Sequence, residues 1–139
     1  MARDPLAVLR RLRDAAVTEA RRNLAAALAR EVQTAQRLNA HNLRVRHEQS
    51  QATVEHLAAF ADWLPYARQH ADHLQAALAG EQAQVVRLQQ ILVGRRTEAE
   101  AVAKAMQRQE KAAELTKARK EQGAMDEAAG RRSGRQGLG

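Results

Sequence analysis

Five histidines, His41, His47, His56, His70 and His73, are the residues of this 139-residue chain best suited to chemistry. His70 and His73 lie three apart, on one face of a helix. Three imidazoles brought together could bind zinc. Against a metal site, the chain has no cysteine and no "HExxH". No glycine-rich loop precedes a helix, and no Ser-His-Asp or Cys-His order marks a nucleophile. The expectation is a solvated or hairpin-tip histidine cluster, with no metal, no cofactor and no enzyme activity.

Charge is the second chemical resource. The chain carries net charge +7, with 23 Lys and Arg against 16 Asp and Glu. Residues 1–22 hold six arginines against Asp4, Asp14 and Glu19, while residues 23–103 balance eight basic with eight acidic groups. Residues 104–139 hold nine basic and five acidic groups. The excess therefore sits at the two chain ends, and if the ends meet they form one basic pole. Its candidate partner-binding residues are Arg10, Arg11, Arg13, Arg21, Arg22, Lys104, Arg108, Lys111, Lys117, Arg119 and Lys120. "RRLR" at 10–13 and "KARK" at 117–120 could touch phosphates. No aromatic stands there to stack on bases, and acidic residues interleave, so nucleic acid is not the expected partner. No apolar run approaches 18 residues, and "MARDPLAVLRRLRD" is too charged for the core of a signal peptide. A soluble intracellular protein is expected.

The elements that position these groups read as helices. The chain contains 31 alanines, and aromatics make up 2%. Alanine buries little area, so a thick globular core is underfilled. An Ala-, Glu-, Arg-, Leu- and Gln-rich chain forms long helices instead. Asp4-Pro5 is a start signal, a capping carboxylate before a proline suited to the first helical position. No Gly or Pro follows until Pro65. The reading is an all-α chain: a hairpin over 1–122, with a helix at about 5–62, a turn at about 63–66 and a helix at about 67–122. Gly123 supplies the stop, and the glycine-rich residues 123–139 form a flexible tail.

Both helices carry heptad rows. In the second, Leu78, Val85, Leu92, Ala99, Met106 and Ala113 recur at seven, each followed three on by Glu81, Leu88, Arg95, Val102, Gln109 and Thr116. In the first, Val17, Leu24, Glu31, Leu38, Val45, Ala52 and Ala59 form one row. Arg21, Leu28, Ala35, Asn42, Gln49, His56 and Trp63 form its companion. A repeat held this long implies a left-handed coiled coil. Folding antiparallel at Pro65 pairs residues whose numbers total 130, so Val45 faces Val85 and Leu38 faces Leu92. His56 then comes near His73, and Glu31 lies about one turn from Arg95. A hairpin of this kind has no concave pocket for a small-molecule substrate. The aromatics all lie in "FADWLPY", residues 60–66. Phe60, Trp63, Pro65 and Tyr66 are the expected hairpin turn.

Three stretches together resemble the FliJ family of flagellar type III export proteins. They are "PLAVLRRLRDAAVTEARRNLAAAL", Trp63-x-x-Tyr66 between two helices, and "KARKEQGAMDEAAGRR". The resemblance covers nearly the whole chain, and Gly123 and Ala124 depart from the family's bulkier or charged residues. It implies an antiparallel two-helix coiled coil similar to the central shaft of the rotary ATP synthase. It also implies a non-catalytic stalk that inserts into the hexameric flagellar export ATPase and touches the cytoplasmic domain of the export gate. Export chaperones are further implied partners. The implied location is cytoplasmic, peripheral to the inner-membrane export apparatus, with a role in flagellum biogenesis and motility. The residues alone leave open a basic coiled-coil nucleic-acid binder and a homodimeric scaffold.

Overall fold

The structure is a computed structural model that describes residues 4–137. It contains two α-helices, α1 (Pro5–Gln51) and α2 (Leu57–Gly137), and no strand among the described residues. They pack antiparallel as a helical hairpin. α1 starts where a carboxylate can replace its missing backbone partners. The Leu6 N–H donates to Asp4 Oδ1 at 3.1 Å, and the Val8 N–H to the Asp4 carbonyl at 3.3 Å. Pro5, which has no N–H to satisfy, takes the first helical position.

The corner is not at Pro65. α1 ends at Gln51, eleven residues short of the expected 62, and Pro65 lies inside α2. The chain turns through residues 52–56 without glycine and without any left-handed residue. Thr53 and Val54 are β-branched in succession, which weakens a continuing helix. The Ser50 hydroxyl donates to the His47 carbonyl at 2.7 Å, and the Ala52 N–H to the Gln49 carbonyl at 3.4 Å. The His56 N–H then closes a turn on the Thr53 carbonyl at 3.0 Å. The Thr53 hydroxyl and His56 Nδ1 are hydrogen-bonded at 2.9 Å, and the His56 carbonyl accepts from the Phe60 N–H. Side-chain bonds of this local kind compete with helical ones, and here they stop one helix and start the next.

The chain divides into two compact units. One takes the residues up to Asp14 and those from Thr97 onward, and the other is Ala15–Arg96. In the second unit, Val17, Ala20, Ala27 and Thr34 of α1 are buried, as are Ala67, Val85 and Leu92 of α2. Leu24, Glu31, Leu38, His41 and Val45 are half-buried, as are Leu74, Leu78, Glu81 and Leu88. The α1 seam is thus Val17, Leu24, Glu31, Leu38 and Val45, alternating with Ala20, Ala27, Thr34 and His41. The companion row follows each member of the first by three residues, not four. Arg21, Leu28, Ala35 and Asn42 are exposed instead.

Cross-helix bonds fix the register. The Thr34 hydroxyl donates to Glu81 Oε1 at 3.4 Å, and His41 Nε2 donates to the Ala67 carbonyl at 2.8 Å. These pairs total 115 and 108, against the expected 130. Glu31 and Arg95 therefore do not face one another, because Arg95 is level with the start of the Ala15–Arg96 segment of α1. In the other unit, Arg13 Nη1 donates to Glu98 Oε2 at 2.8 Å, a pair totalling 111. Val102 is buried in that unit, and Ala99 and Met106 are half-buried.

Gly123 does not end α2. The helix runs on through Gly123, Gly130 and Gly134 to Gly137, in place of the tail expected over 123–139, of which residues 138 and 139 lie outside the described residues. Each glycine costs a helix about 1 kcal/mol relative to alanine, but with helical φ it does not stop one.

Candidate functional site: the α2 extension and the hairpin tip

Every residue from Gln107 to Arg135 is exposed. In the register of the Arg13–Glu98 pair, Pro5 at the start of α1 is level with about residue 106, so α1 offers no packing partner beyond it. After Val102 and Met106 the heptad rows continue as Gln109, Ala113, Thr116, Lys120, Gly123, Glu127 and Gly130. None of these presents a large apolar side chain to a packing partner. The extension's large apolar residues lie on another stripe. Leu115, Ala118, Met125 and Ala129, with Gln122 between Ala118 and Met125, follow the alternating three- and four-residue spacing that keeps side chains on one helix face. Leu115 is 58% exposed and Met125 67%. Lys104, Arg108 and Lys111 precede them on the same stripe, and Arg132 follows.

The extension is held by local bonds. The Thr116 hydroxyl donates to the Ala112 carbonyl at 2.9 Å, and the Gln122 amide to Asp126 Oδ1 at 3.2 Å. Arg131 and Glu127 approach to 3.9 Å. Such pairs are worth a few tenths of a kcal/mol each. Residues 107–135 carry eight basic and five acidic groups, so the helix is positive with acids interleaved.

The eleven residues of the expected basic pole do not all fall in one place. Arg10, Arg11, Arg13, Lys104, Arg108, Lys111, Lys117, Arg119 and Lys120 belong to the unit that holds both chain ends. Arg21 and Arg22 belong to the other. Arg13 is half-buried and bound to Glu98, and Arg10 lies 3.9 Å from Asp14. All of the eleven except Arg13 are exposed.

The four expected turn residues lie instead on the first three turns of α2. Phe60 and Trp63 are half-buried, with ring centroids 5.9 Å apart and planes tilted by 48°. Pro65 and Tyr66 point to solvent, Tyr66 being 72% exposed. The histidines are also rearranged. His41 and His70 meet edge to face with centroids 4.8 Å apart, while His56 bonds Thr53 and not His73. Among the described residues no group of three or more His, Cys, Asp or Glu could hold a metal ion. No helix of the described residues is long and apolar enough to cross a membrane.

The protein is thus an all-helical hairpin whose second helix carries a fully exposed segment. The family model of the flagellar FliJ protein matches residues 1–138, and the chain belongs to that family. It is therefore related to flagellar protein export. No curated protein and no solved structure matches the chain.

Proposed function

We propose that this chain is a non-enzymatic stalk of the flagellar type III export apparatus. In this reading it inserts into the hexameric export ATPase and couples that ring to the export gate and its chaperones, at the cytoplasmic side of the inner membrane. The observation that carries the reading is the α2 extension. A helix exposed on every face, with its apolar stripe on Leu115, Ala118, Met125 and Ala129, suits insertion among the subunits of a ring. The flanking Lys104, Arg108, Lys111 and Arg132 suit a ring with acidic inner surfaces, and they would speed encounter. Membership of the FliJ family supports a partner within the flagellar export machinery. The test is to mix the purified chain with the flagellar export ATPase and measure ring assembly and ATP hydrolysis. Stimulation is expected. Neutralising Arg10, Arg11, Arg13, Lys117, Arg119 and Lys120 together weakens it, most strongly at low salt. An unchanged response would overturn the assignment of the basic residues to the ring.

A further inference from the structure

We infer that the cleft beside the turn is a docking site for an arginine side chain of a partner protein. The cleft has a volume of about 390 Å³. Glu48 and Gln51 line it from the end of α1, Ala52 and His56 from the turn, and Phe60 and Trp63 from α2. Ala52 is too small to fill the space between the helix ends, which leaves the flank of the aromatic pair open. The volume admits a long side chain together with apolar groups that flank it.

Its chemistry selects a cation. Aromatic faces attract a positive charge through their quadrupole, and a guanidinium stacks on them better than an ammonium does. Glu48 supplies the carboxylate. Among the described residues it forms no ion pair. A guanidinium that stacks on Phe60 or Trp63 keeps its N–H groups free to donate to that carboxylate. A purely apolar occupant would cover Glu48 without pairing it, which is costly. An acidic occupant would be repelled. Beside the cleft, Val54 is 93% exposed and Leu57 56%, more apolar surface than one solvated turn needs. The partner segment is therefore an amphipathic one, with its arginine flanked by apolar side chains that cover Val54 and Leu57.

The partner's side chains follow from the chemistry of the cleft and do not depend on the ring contact. Trp63 is the only tryptophan, so its fluorescence reports the site directly. The full-length chain is titrated with a short amidated helical peptide that carries one arginine between two leucines. A saturable change in Trp63 emission is expected. Replacing the peptide's arginine by glutamine, or Glu48 by glutamine in the protein, should weaken binding about tenfold. Pairing Glu48→Arg with a glutamate peptide should restore it, and Ala59→Leu, which fills the cleft, should abolish it. The proposal is overturned by no saturable change, or by equal binding of arginine, glutamine and glutamate peptides. A Glu48→Gln chain that loses the peptide but still stimulates the ATPase would separate this site from the ring contact.

Discussion

His41 on α1 donates from Nε2 to the carbonyl oxygen of Ala67 on α2 at 2.8 Å, with the His70 ring edge-on beside it. The contact joins a residue ten positions before the end of α1 to one ten positions after the start of α2. The hairpin therefore closes at residues 52–56, and Pro65 belongs to the returning helix. A carbonyl already used within its helix accepts this second bond on its free lone pair.

The register can be read by cross-linking, since the chain has no native cysteine. Thr34→Cys with Glu81→Cys should form a disulfide within one molecule, because the native side chains already meet. Val45→Cys with Val85→Cys should not. In the observed register, Val45 is level with a residue about 19 positions before Val85, roughly 28 Å away along the helix. A disulfide needs Cα atoms within about 7 Å. Non-reducing electrophoresis of the monomer distinguishes the two pairs.

The sequence makes some of this legible and hides the rest for physical reasons. Asp4-Pro5 marks the start of α1, since only one capping side chain precedes a long run without breakers. The Val17, Leu24, Leu38 and Val45 row is visible because its members are large. Its companion is not, because Ala20 and Ala27 are small and Thr34 and His41 polar. A seven-residue repeat fixes one row but allows the next at three or four, and Leu28 points to the wrong choice. The turn at 52–56 lacks Gly and Pro, being built from the hydrogen bonds of Ser50, Thr53 and His56. Pro65 misleads because an exposed proline near a helix start resembles a breaker. The α2 extension is the strongest part of the candidate site. Its basic residues are plain in the sequence, but its full exposure follows only from where α1 begins.

Pro65 is a second point of contrast. An interior proline removes one helical hydrogen bond and crowds the preceding turn, at about 3 kcal/mol. Its side chain is exposed, so no packing is lost on replacement. Pro65→Ala should therefore stabilise the hairpin by about 1–3 kcal/mol. Urea unfolding followed by circular dichroism measures this. Destabilisation would return Pro65 to the corner.

Leu92 and Leu28 separate the two rows energetically. Leu92 is 7% exposed, while Leu28 is 41% exposed. Leu92→Ala should cost about 2–4 kcal/mol through lost burial and the cavity left behind. Leu28→Ala should cost less than about 1 kcal/mol, as for a surface site. Comparable losses at both sites would place Leu28 back in the seam.

In the proposed function, the α2 extension is the surface that engages the export ATPase. The most direct measurement is the affinity of the full-length chain carrying Leu115→Asp and Met125→Asp for the flagellar export ATPase, by titration calorimetry. Both residues are exposed, so the hairpin should melt as before. The expected affinity is at least about tenfold weaker, as for loss of apolar anchors at an interface. An unchanged affinity would contradict it.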